Sequence, residues 1–207
     1  MGFVSRDRGA GKFVNIKKGQ FAYKNGDEYV LTDDALVGHL VGISIVDDEY
    51  QGTKFRKLCL KIDDGQEAYQ LQMKMESGYA NAFCMIIQNA DLTKPIAFQA
   101  WFEVKDGKNK CGMFLNQGGK ALKWYYTRDN PKDLPQLEKH LFRGKDLWDN
   151  QKQQQFLENM LMNVIAPQLV HPVLAGPLSQ AGQPTTSGAR SSSPAADITE
   201  PIDDLPF

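Results

Sequence analysis

Between residues 36 and 127 the chain alternates apolar and polar residues in one short run after another, and the period turns helical only once. Successive side chains of a strand point to opposite faces, so each alternating run predicts a strand with one buried face. Runs at 36–46, 54–62 and 68–75 come first, and Asp63-Asp64-Gly65 between the last two is hairpin-turn chemistry. Gly38 and Gly42 interrupt the first run, where missing side chains permit the sharp coiling of a small barrel. Residues 77–89 then set Tyr79, Ala82, Phe83, Ile86 and Ile87 at helical spacing behind Ser77, a ready N-cap. Strands resume at 96–104, 111–115 and 122–127, with KDGKN and NQGGK as the connections.

Three strands, a helix and further strands, without βαβ alternation, predict a mainly β fold rather than a parallel α/β sheet. The order matches the oligonucleotide-binding (OB) fold, a five-stranded Greek-key barrel with its helix between strands three and four. Residues 105–121 are then an added hairpin or a long final loop, and 12–16 with 20–23 an extra N-terminal hairpin. Residues 133–142 and 149–165 are expected to be helices, the second striped by Phe156, Leu157, Met160, Leu161, Val164 and Ile165. That stripe suits either the barrel or a second copy of the chain, which leaves a homo-oligomer open.

From His171 onward Pro, Gly, Ser, Ala, Thr and Gln dominate, and apolar residues are too sparse to offset the entropy of ordering the backbone. The 207 residues therefore divide into a barrel domain (1–128), a helical extension (129–170), a disordered linker (171–199) and an acidic tip (200–207). Charge follows this division. Residues 1–128 carry 18 Lys and Arg against 15 Asp and Glu, a net of +3, whereas 171–207 carry one Arg against four acids, a net of −3. The overall charge of −1 hides this segregation. Cys59, Cys84 and Cys111 lie far apart with no metal-ligand spacing, as expected of buried thiols in a reducing compartment. No apolar run is long enough to span a membrane, and no signal peptide is apparent. A soluble cytoplasmic protein of a bacterium or a phage-infected cell is the expectation.

An aromatic ring on the polar face of a strand needs a reason other than burial. In 96–104 the even positions are apolar, which puts Trp101 outward with Gln99 and Glu103. The same reasoning puts Phe114 outward in 111–116, and Phe55 with Lys57 and Lys61 outward in 54–62. In 68–75 it exposes Gln70, Gln72 and Lys74, and in 122–127 Lys123 and Tyr125. Lys105, Lys108, Lys110 and Lys120 gather in the flexible connections. Rings beside lysines suit single-stranded nucleic acid. Every base has a π-face, so stacking contributes ~1–3 kcal/mol per base without reading identity, while lysines track the phosphates.

The most specific segment is Pro201-Ile202-Asp203-Asp204-Leu205-Pro206-Phe207. It resembles the acidic tip of bacterial and phage single-stranded DNA-binding proteins, in which acids precede a small apolar residue, Pro and a terminal Phe. The resemblance implies that Asp203, Asp204, Leu205, Pro206 and Phe207 recruit replication, recombination or repair proteins, with Phe207 entering an apolar pocket of basic rim. It also implies a non-enzymatic, sequence-independent binder of single-stranded DNA that needs no cofactor and no metal. The apolar N-terminal strand motif of ordinary bacterial members is missing, a departure that fits a divergent, phage- or mobile-element-encoded member.

Enzymatic readings find little. Gly9-Ala10-Gly11-Lys12 lacks the first Gly and the Ser or Thr of a phosphate loop. Asp91 with Glu103 and Lys105 has the residue types of a metal-dependent nuclease, and stands as an alternative beside a strand-annealing accessory protein. A purely protein-binding adaptor is the remaining class.

Overall fold

All but one of the alternating runs are strands in the computed structural model, which describes residues 11–26, 28–142 and 145–169. The first strands are β1 (Lys12–Lys17), β2 (Gln20–Asn25), β3 (Glu28–Thr32), β4 (Leu36–Tyr50), β5 (Thr53–Asp63) and β6 (Ala68–Lys74). Helix α1 (Gly78–Ile86) follows, then β7 (Ile96–Lys105), β8 (Lys108–Gln117) and the short β9 (Lys120–Ala121). These form one nine-stranded sheet in the order β3-β2-β1-β6-β5-β4-β7-β8-β9. Every pair is antiparallel except β1 with β6. Two-residue turns close the β1–β2, β4–β5, β7–β8 and β8–β9 hairpins, both central residues having positive φ, as at Asp106 (54°) and Gly107 (71°). That geometry matches the right-handed twist of the flanking strands.

Burial on one face coils the sheet. Leu58, Leu60, Ile62, Leu71, Ile96, Phe98 and Leu115 are fully buried and meet Phe83, Ile86 and Ile87 from α1 and the turn after it. Ser77 caps α1 as its sequence promised, its hydroxyl accepting from the Ala80 N–H at 3.2 Å. β4 slips register between Leu40 and Gly42, and the resulting bulge sharpens its twist. The coil is tight enough that the β1–β2 turn meets β7. A Cβ at Gly19 (φ +81°) would lie 2.7 Å from the Phe102 nitrogen, so only glycine fits there. The Gly19 N–H donates to the Tyr79 hydroxyl at 2.9 Å, and burial beside Cys111 pushes that phenol up to about 12.

The mainly β class expected from the alternation is what forms, as one large mixed sheet. The ladder has free ends at β3 and β9, so the sheet coils without closing by hydrogen bonds. Residues 122–127 form no strand: the Leu122 N–H still reaches the Leu115 carbonyl, but the Tyr125 N–H donates to the Met85 carbonyl at 2.7 Å and pulls the chain off the sheet. Nor is 133–142 a helix. Pro131 and Pro135 break it, leaving turns followed by a separate hairpin of β10 (Glu138–Phe142) and β11 (Lys145–Asp149). Leu141 points into solvent from this hairpin.

The second expected helix forms as α2 (Gln151–Met160), continued by a π turn at Leu161–Ile165 and a 3₁₀ turn at Ala166–Gln168. Leu157, Met160, Leu161 and Ile165 join the core, so this stripe packs on its own domain. The π turn shifts the period and leaves Val164 exposed. Glu158, only 7% exposed, pairs with Arg56 of β5 and ties α2 to the sheet. No helix among the described residues is long and apolar enough to cross a membrane. The linker and tip expected at 171–207 lie outside the described residues.

Candidate nucleic-acid interface

Strand register carries the outward residues into rows across the convex face of the sheet. One row runs Phe13, Gln70, Lys61, Gly42, and the next runs Leu31, Ala22, Asn15, Gln72, Cys59, Ser44, with Ala22 and Cys59 buried among their larger neighbours. A third aligns Lys74, Lys57 and Val46, and a fourth pairs Phe55 with Asp48. The residues expected on 54–62 and 68–75 are thus brought together on one surface.

Their side chains are engaged with one another. The Lys74 ammonium stands 4.8 Å from the Phe55 ring centroid, a cation–π contact that covers one face of the half-buried ring. Lys57 pairs with Asp48, and this bond, with the Glu49 N–H, holds the Asp48 carboxyl below its usual range. Lys61 is exposed. The patch offers two cations beside a ring, with one acid already neutralised.

The β7–β8 hairpin carries the second aromatic group. Trp101 is half-buried and lies across Gly112, its register partner, where a Cβ would come within 2.8 Å of the indole nitrogen. Only glycine lets the indole lie so flat on the strand. Phe114, 48% exposed, stacks on it with centroids 6.2 Å apart and planes 27° from parallel. Lys120 sits at the exposed β8–β9 turn two residues beyond Gly118, and Lys105 registers with Lys108.

The remaining two expected residues do not join these groups. Because 122–127 leaves the sheet, Tyr125 packs against the core, edge-on to Tyr126, with the Lys132 ammonium over its ring. Its outward assignment on a strand is therefore corrected, and Trp124, expected inward, is exposed instead. Lys123 remains exposed, its carbonyl accepting from the Asn89 amide at 2.9 Å. The tip residues Asp203 to Phe207 lie outside the described residues. Phe13 was overlooked: 51% exposed, it is outward beside Gln70. The inward alternation of Val14 and Ile16 carries the signal that would have found it.

The metal-nuclease constellation is not assembled. The Asp91 N–H bonds Gln117 at the start of the hairpin, whereas Glu103 registers with Lys110 near its tip. At ~3.3 Å per residue these points are roughly 20 Å apart. Bonds from Lys94 and Thr93 hold the Asp91 carboxyl down at about 2, which makes it a turn residue already supplied with partners. Glu138, His140 and Asp149 on the β10–β11 hairpin do bring ligand atoms within 4.8 Å of one another at the surface. The Lys152 ammonium bonds Glu138 there and already supplies a positive charge.

No protein-family model, curated protein or solved structure matches the chain.

Proposed function

We propose that this protein binds single-stranded DNA without regard to sequence, protects it, and recruits replication, recombination or repair proteins through residues 200–207. The observation that carries the reading is the outward pairing of Trp101 and Phe114 on the same sheet surface that bears Phe55, Lys57, Lys61 and Lys74. Rings that are exposed without being needed by the core suit base stacking, and lysines in rows suit a phosphate backbone. No array of base-reading donors and acceptors is required. The net positive charge of 1–128 adds a steering field, and the DDLPF sequence adds the chemistry of a recruitment tip.

In this reading the coiled sheet is an OB-type barrel. Strands β4, β5, β6 and β7 are its first four, with α1 between the third and fourth. The N-terminal β1, parallel to β6 and turned toward β7 at Gly19, takes the place of the fifth. The N-terminal segment is then part of the barrel rather than an appendage.

Titration of fluorescent oligo(dT) of graded lengths tests the function. Saturable binding with a length threshold, similar affinity for mixed sequences and a steep salt dependence are expected. Failure to retard oligo(dT) at low salt would remove the proposal, and a strong preference for one sequence would remove its sequence-independent part.

A further inference from the structure

Where the chain leaves the sheet after β9 it builds an open apolar pocket of about 480 Å³, whose lining includes none of the residues of the lysine rows. Trp124 and Trp148, 49% and 59% exposed, form walls with Met85, Leu134 and Leu137. Arg128 is the charged residue in the lining, and no acid lines it. Two half-exposed indoles in a concave apolar surface are costly to leave in water and mark a binding site.

We infer that this pocket receives residues 203–207 of the same chain. The fit is chemical: Leu205, Pro206 and Phe207 supply apolar surface for the indoles, and Asp203 and Asp204 supply negative charge for Arg128. The connection is long enough. Gln153 lines the pocket at the start of α2, and the helical run ends near Leu169, roughly 25 Å away at ~1.5 Å per residue. The 34 residues from there to Asp203 have a mean reach of roughly 30 Å at ~5–6 Å times the square root of their number. Tethering at that range gives an effective concentration on the order of millimolar, so even a weak site of ~100 μM would be mostly filled. Docking there holds the recruitment segment in reserve without occupying the strand-binding face. This inference is independent of the strand-binding reading.

The three tryptophans make the test direct, because Trp101 lies on the outward hairpin while Trp124 and Trp148 line the pocket. In ¹⁵N-labelled full-length protein, Phe207→Ala is expected to shift the indole N–H resonances of Trp124 and Trp148 and to leave that of Trp101 in place. Arg128→Glu should shift the same two, and adding a peptide of residues 200–207 to the Phe207→Ala protein should restore them. Unmoved Trp124 and Trp148 signals, or a shift at Trp101 alone, would overturn the inference. Shifts that vanish on dilution would overturn docking within one chain. Addition of oligo(dT) moves Trp101 whether or not the pocket is filled, so the two readings fail separately.

Discussion

Trp101 lies over Gly112 and stacks on Phe114, two residues further along the same strand, on the outside of a hairpin whose inside is sealed by Phe98 and Leu115. The same two strands therefore supply rings to the core and rings to the surface, and mutation separates the two sets. Trp101→Ala and Phe114→Ala should each weaken oligo(dT) binding by ~1–3 kcal/mol with thermal stability largely kept. Phe98→Ala, by contrast, should cost ~3–5 kcal/mol of stability. Because the two outer rings touch, their effects on binding should be non-additive in a double-mutant cycle. Unchanged affinity in both single variants would exclude stacking at this site.

The paired row of Lys57 and Lys74 predicts the salt dependence. Log affinity should fall with log salt at a slope of about −0.7 per phosphate contact, and Lys57→Ala, Lys61→Ala and Lys74→Ala should each flatten it. Asp48→Asn frees Lys57 from its pair and should tighten binding at low salt. Fluorescence anisotropy across a salt series reads all four variants. A lysine variant that weakens binding at unaltered slope would indicate lost packing, for instance of Lys74 on Phe55.

Arg56 and Glu158 join strands and helix across 102 positions of sequence. Removing the arginine leaves a carboxylate in a site only 7% exposed, so Arg56→Ala should lose about 1–3 kcal/mol, discounted from a fully buried pair because the arginine itself is partly solvated. Glu158→Gln, which strands no charge, should lose less. Urea denaturation measures both, and equal losses would show that packing rather than charge holds α2.

Acid should act through the depressed carboxyls. Asp91 has its folded pKa lowered to about 2 from 3.8, so its stabilising effect is fully present above pH ~4 and disappears as pH falls toward 2. The difference in melting temperature between the parent and Asp91→Asn should accordingly be constant near neutrality and close over that acid window. Asp48 is also lowered by its bond to Lys57, and its protonation on acidification should release that lysine. A difference that stays constant down to pH 2 would show that Asp91 acts through its turn bonds and not its charge.

The recruitment segment should be separable from strand binding. Deleting residues 200–207 is expected to leave oligo(dT) affinity equal or slightly higher, since it removes Glu200, Asp203 and Asp204, three of the four acids in 171–207. The same deletion should abolish capture of whichever polymerase, nuclease or helicase uses it. A large loss of DNA affinity would place the segment in the DNA site instead.

Local pattern by itself determined most strands, the faces they present, the Ser77 cap and the turn chemistry, because alternation and capping depend on residues within a few positions of one another. It therefore set Trp101, Phe114, Phe55 and the lysines of β5 and β6 each on the outer face of its own strand, and strand pairing decided which of them became neighbours. What happens after β8 was not local. Residues 122–127 alternate as a strand would, yet the Met85 carbonyl, 40 positions earlier, takes the Tyr125 N–H and turns Tyr125 inward and Trp124 out. Likewise 133–142 has helical spacing, but prolines and the pairing of β10 with β11 override it. Which strand lies beside β6 on the side away from β5 rested on β1 pairing in parallel with it from more than fifty residues away. Such decisions belong to tertiary structure because a backbone N–H leaving a sheet takes the partner that folding brings near it, and no sequence window contains that partner.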